Sequence, residues 1–95
     1  MHVISQKALK LFARKHLDSE AALDAWYRLV SANNFENFAA LRKLFPSADK
    51  VGRLIVFNIG GNKYRLIAAI HFNRQKVFIR HILTHAEYDR GNWKE

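Results

Sequence analysis

A chain of 95 residues with 16 Lys and Arg against 8 Asp and Glu carries a formal charge of +8 and has room for a single domain spanning residues 1–95. Its 49% hydrophobic and 13% aromatic content supports a globular core, and the absence of Cys excludes disulfide scaffolds, thiolate nucleophiles, Cys-ligated zinc and iron–sulfur clusters. So large a cationic surplus on so small a surface points to an anionic partner. The opening Met1-His2-Val3-Ile4-Ser5-Gln6-Lys7 lacks the apolar stretch of a secretion signal, and no run reaches the roughly 18 apolar residues that span a bilayer. A cytoplasmic protein with no membrane partner is expected.

Val3-Ile4 reads as a short strand, with Ser5 as the N-cap of a helix from Gln6 to about His16. At 100° per residue Ala8, Leu9, Leu11, Phe12 and Ala13 share one side, and Lys7, Lys10 and Arg14 form a basic stripe on the other. No acid interrupts residues 1–17, so the stripe is a candidate phosphate-tracking surface as well as an ordinary solvated face. Ser19 is positioned to cap a second helix running to about Ala32, with Ala22, Leu23, Trp26, Leu29 and Val30 as its apolar stripe. Asn37 can cap a shorter helix from Phe38 to Phe45 that Pro46 ends, and the stretch from Phe45 to Lys50 reads as a loop.

From Arg53 the hydrophobic period changes to that of strands: Arg53 to Asn58, Lys63 to Phe72 and Lys76 to Leu83. Gly60-Gly61-Asn62 supplies the positive-φ residues of a hairpin, and Asn73-Arg74-Gln75 a second short connection. In the middle strand Tyr64, Leu66, Ala68, Ile70 and Phe72 alternate with Arg65, Ile67, Ala69 and His71, giving a core face and a mixed face from which Arg65 projects. Thr84 and Glu87 have capping-box spacing and start one helical turn, on which His85 and Tyr88 share a side. Helices followed by strands make this an α+β fold, with N-terminal helices packed on an antiparallel meander.

Six basic residues, Arg53, Lys63, Arg65, Arg74, Lys76 and Arg80, lie between Val51 and Ala86 without a single acid. His71, His81 and His85 occupy the same block, so the sheet offers positive potential beside titratable groups. The histidines lack the spacing of a zinc site, and no phosphate-binding glycine loop is present, so neither a metal nor a cofactor is expected. Phosphodiester cleavage of RNA fits this inventory, because the 2′-hydroxyl is the nucleophile and the protein need supply only a base, an acid and cationic donors to the phosphoryl oxygens. Arg65 suits the last role, with two parallel N–H donors; His85, Tyr88 and Lys63 compete for the others.

The residues Val56-Phe-Asn-Ile-Gly-Gly-Asn-Lys-Tyr-Arg-Leu66, Val77-Phe-Ile-Arg80 and Thr84-His-Ala-Glu-Tyr-Asp89, with Met1 to Ser5 and Leu41-Arg-Lys-Leu-Phe-Pro46, resemble the HigB family of bacterial toxins over nearly the whole chain. The resemblance implies the RelE-like fold and a metal-independent endoribonuclease that cuts mRNA on the ribosome through the 2′-hydroxyl, leaving a cyclic phosphate. It also implies a HigA-type helix-turn-helix antitoxin as partner, with operator DNA bound only through that complex. Arg65 corresponds to the strand arginine that RelE-like enzymes set on the scissile phosphate. His85 and Tyr88 fall near a basic arginine and a tyrosine of RelE, while the assignment of base and acid among His85, Tyr88 and His81 stays open. Lys63, Asn58, Arg80 and His81 are expected to contact RNA, as are Lys7, Lys10 and Arg14 of the helical stripe. The alternatives are a non-catalytic RNA- or ribosome-binding module and a transcriptional co-repressor acting with its antitoxin.

Overall fold

A computed structural model describes residues 1–94. Strand β1 (His2–Ile4) leads into helix α1 (Gln6–Lys15), a single 3-10 turn (Leu17–Ser19), α2 (Glu20–Ser31) and α3 (Phe38–Leu44). Strands β2 (Asp49–Val51), β3 (Leu54–Ile59), β4 (Tyr64–His71) and β5 (Lys76–Thr84) follow, and α4 (His85–Arg90) comes last. The fold is α+β and consistent with the RelE-like architecture. Strands β3 to β5 form the expected antiparallel meander, β2 extends it antiparallel beside β3, and β1 adds a parallel edge to β5, giving the order β1-β5-β4-β3-β2. The sheet is therefore mixed, with Val3 set beside Val77 and both buried.

Local chemistry explains most of the boundaries. Ser5 is extended and N-terminal to α1, as expected, but its side chain makes no capping bond. Ser19 is not a cap: it is helical at φ −87° and ψ −14°, and its buried hydroxyl donates to the His16 carbonyl at 2.6 Å, closing the 3-10 turn between α1 and α2. Asn37 does cap α3, accepting from the Ala40 N–H at 2.9 Å. The supposed loop to Lys50 gives way at Asp49 to β2, a three-residue strand too short to show a period; Gly52 at φ +61° turns it into β3. Gly60 and Gly61, at φ +61° and +68°, make the β3–β4 turn, a conformation that a Cβ would strain. At the β4–β5 turn Gln75 adopts φ +54°, fixed by its side-chain amide, which donates to the Phe72 and Phe35 carbonyls and accepts from the Phe35 N–H.

The two sheet faces bury different clusters. Helices α1 and α2 set Leu9, Ala13, Leu23, Trp26 and Val30 against Ile55, Phe57, Leu66, Ala68 and Val77, while Leu11 and Leu29 of the predicted stripes remain exposed. On the opposite face a smaller cluster of Leu54, Val56 and Ile67 is closed by Trp93 and flanked by Leu83 and Tyr88. This second face carries Arg65. Truncating Leu41, which is 0% exposed in the main core, should cost about 2–5 kcal/mol in denaturant unfolding. The same change at Leu17, 75% exposed, should stay within about 0.5 kcal/mol.

Candidate active site

Arg65 lies near the start of β4, where register places Asn58 of β3 and Leu83 of β5 on either side of it. The strand alternation expected from the sequence holds, but the side chain does not project into solvent: Arg65 is 7% exposed. One guanidinium nitrogen donates to the Tyr64 carbonyl at 3.1 Å and the other to the Asn62 side-chain oxygen. The Tyr88 ring lies against it, 5.2 Å from guanidinium carbon to ring centroid. Among the described residues no carboxylate pairs with Arg65. A buried cation without an acid is costly unless an anion approaches it, and its remaining N–H donors are suited to phosphoryl oxygens.

Helix α4 brings the titratable groups to this end of the sheet. Thr84 accepts from the Glu87 N–H at 3.2 Å while Glu87 accepts from the Thr84 N–H at 2.9 Å, the complete capping box that the spacing predicted. The His85 N–H donates to the Lys63 carbonyl at 3.0 Å, which ties the helix start to the β3–β4 turn. Tyr88 is half-buried between Arg65 and Trp93, stacked on the indole at 5.0 Å, and its carbonyl accepts from the Trp93 indole N–H at 2.9 Å. His85 is exposed, with Nε2 3.1 Å from an Asp89 oxygen one helical turn on. That carboxylate can orient the imidazole. His81 is cross-strand from Ile67, one step along the same face, and lines a cleft of about 200 Å³ with Leu83, Arg90 and Trp93.

The other expected contacts divide between the faces. Asn58 is exposed and directly beside Arg65. Arg80 is the extra residue of a β-bulge, because Ile67 and Ala68 pair with His81 and Ile79; its direction is therefore not set by simple alternation. Lys63 turns to the Asp18 carboxylate at 3.1 Å, and the Tyr64 hydroxyl donates to the same group. Lys7, Lys10 and Arg14 are exposed as expected but lie on the helix layer, with the sheet between them and Arg65. Lys10 and Arg14 line the α1–α2 cleft together with Glu20 and Asp24. Three residues that sequence reasoning passed over complete the site. Asp89 was detectable from its i+4 spacing to His85, and Trp93 from the Gly91 stop at φ +74° that returns the chain to the sheet, but no pattern marks Asn62 as the partner of Arg65.

This arrangement defines a basic α+β protein with a buried arginine, paired with no acid among the described residues, near a tyrosine and a carboxylate-paired histidine. The family model for HigB_toxin, described as the RelE-like toxic component of a toxin-antitoxin system, matches residues 19–91, and the chain belongs to that family. It is 40% identical over 92 residues to the "mRNA interferase toxin HigB" of Escherichia coli strain K12, covering 94% of this chain and 88% of that one. An "mRNA interferase HigB" of Shigella flexneri matches equally, and one of Escherichia coli O6:H1 strain CFT073 is 36% identical over 93 residues, 95% of this chain and 90% of its own. Membership in a toxin-antitoxin system implies an antitoxin partner. Among the described residues no helix is long and apolar enough to cross a membrane.

Ion chemistry around the site sets a pH dependence of stability. Hydrogen bonds from Tyr64 first and Lys63 second hold the Asp18 carboxyl below its ordinary 3.8, and the Thr84 backbone N–H holds Glu87 below 4.5. The stabilisation from both is complete above those values and is lost as pH falls through the lowered ones. Tyr64, raised from 10.0 by donating to Asp18, behaves in the opposite sense: its contribution is present below that value and is lost as pH rises through the raised one. Denaturation midpoints should therefore fall on acidification toward about pH 3, and the fall should shrink in Asp18→Asn and Glu87→Gln. Tyr64→Phe should remove the alkaline loss.

Proposed function

We propose that this chain is the toxin of a type II pair that inhibits translation by cutting mRNA on the ribosome, with Arg65 on the scissile phosphate and His85 and Tyr88 moving protons. The observation that carries this reading is the buried guanidinium of Arg65, held by Asn62 and the Tyr64 carbonyl and left without an acid among the described residues. The names of the relatives support the same activity.

In the reaction the 2′-oxygen of one nucleotide bonds to the adjacent phosphorus and the bond to the 5′-oxygen breaks, leaving a 2′,3′-cyclic phosphate and a 5′-hydroxyl. One side chain takes the proton from the 2′-hydroxyl and another returns one to the departing oxygen. His85, oriented by Asp89, and Tyr88, stacked between Arg65 and Trp93, are the groups nearest to those tasks, with His81 as the neighbouring alternative. Arg65 gains most where charge accumulates on the non-bridging oxygens, so its contribution grows in the transition state. Every step uses protein groups and the RNA's own hydroxyl, and none requires a metal. Asn58 and His81 lie along the approach to Arg65. The cognate partner is a HigA-type helix-turn-helix antitoxin, and operator DNA is reached only through that complex.

In a coupled translation extract Arg65→Ala should lower mRNA cleavage about a hundredfold or more while sedimentation with ribosomes persists. Cleavage at the parent rate would overturn the site. Loss of ribosome association together with cleavage would favour a binding role for Arg65 over catalysis.

A further inference from the structure

The outer side of β5 carries a feature that the cleavage chemistry leaves unused. His81 lines both the cleft beneath Trp93 and a depression beside α1, and Arg80 lines that depression and a third one of about 540 Å³. The three share these residues in turn along the strand, the second and third walled on one side by Ala8 of α1. The far end is floored by Phe78, His71 and Ala69, with the His71 ring edge-on to Phe78 at 5.2 Å between centroids and 77° between planes. Phe78 is half-buried and His71 exposed.

Register places this end on the face of Arg65. Ala69 pairs with Phe78 and Ile67 with His81, so Phe78 lies four residues, ~13 Å, along the sheet from Arg65. That span is within reach of a short run of nucleotides. Lys76 pairs with His71, Arg80 lines the depression, and residues 51–86 contain no acid to repel a phosphate. An aromatic floor with cations around it is the arrangement by which single-stranded nucleic acid is held without sequence readout, base on ring and phosphate on cation.

We propose that Phe78, His71 and Arg80 form a nucleobase-stacking subsite for the single-stranded RNA whose scissile phosphate meets Arg65. The subsite rests on the nuclease reading above and deepens it: it anchors a neighbouring nucleotide and fixes the register of the strand over Arg65. Arg80 and Lys76, with no acid lining the depression at Phe78, favour RNA over a peptide strand added to the exposed stretch of β5.

The test uses the full chain and a single-stranded oligoribonucleotide with 2′-O-methyl riboses, which cannot be cut. On titration, NMR shifts should appear both at Arg65 and Tyr88 and at His71 and Phe78. Phe78→Leu should weaken binding about fivefold or more, and Phe78→Tyr, which keeps a ring, should restore it and so separate stacking from a packing defect. Shifts confined to Arg65 and Tyr88, with Phe78→Leu binding as the parent does, would overturn the subsite and leave the nuclease reading standing. No shift anywhere counts against both. Shifts at His71 and Phe78 with an acidic peptide and not with RNA would overturn the subsite in favour of a protein partner.

Discussion

Arg65 is almost wholly withdrawn from water, held by two neutral oxygens and an aromatic ring, with no carboxylate to balance it among the described residues. A guanidinium in that position is less stable than one paired with an acid, and the deficit is made good when an oxyanion enters. A carboxylate in its place would neutralise the same donors and compete with phosphate. The arrangement of the second face follows from keeping that cation fixed and acid-free.

The scaffold achieves this through backbone rather than through charge. Gly60 and Gly61 let the β3–β4 turn close tightly enough for the Asn62 side chain to reach the arginine three residues later. The capping box at Thr84 and Glu87, a type of contact that contributes on the order of 1 kcal/mol, starts α4 where its first turn meets the Lys63 carbonyl. Trp93 then locks Tyr88 by stacking and by its indole hydrogen bond, so the ring beneath Arg65 has little freedom. On the helix side Asp18 takes up Lys63 and the Tyr64 hydroxyl, which fastens the 3-10 turn to the same end of β4. The charge surplus is thus sorted by the sheet: α1 and α2 carry cations and acids together, while β3 to β5 carry cations alone.

Much of this was legible in the residues. Period and turn chemistry located α1 to α4 and every strand but β2, and alternation along β4 assigned Arg65 and Ile67 to one face and Leu66 and Ala68 to the other. What stayed hidden depends on tertiary contacts. Strand β2 has no apolar period because it is a polar edge, and β1 takes a parallel partner more than seventy residues away, a pairing that no local pattern encodes. Ser19 looks like a cap in sequence but is drawn into the 3-10 turn by the His16 carbonyl. Side-chain identity singles out Arg65 as a candidate, but its burial is invisible in the sequence because Trp93 and Tyr88 cover that face from the far end of the chain. The basic stripe of α1 was correctly seen as one face of a helix, yet its separation from Arg65 depends on which side of the sheet that helix packs.

The central claim is that Arg65 is kept buried and unbalanced in order to receive a phosphodiester, and anion linkage tests it most directly. Thermal unfolding of the parent and of Arg65→Met, each with and without an uncleavable 2′-O-methyl dinucleotide, separates the cost of the buried charge from its use. The account predicts that the dinucleotide raises the melting temperature of the parent and leaves that of Arg65→Met unchanged, the variant alone melting no lower than the ligand-free parent. Equal stabilisation of both proteins by the dinucleotide, or a marked loss of stability in Arg65→Met alone, would contradict it.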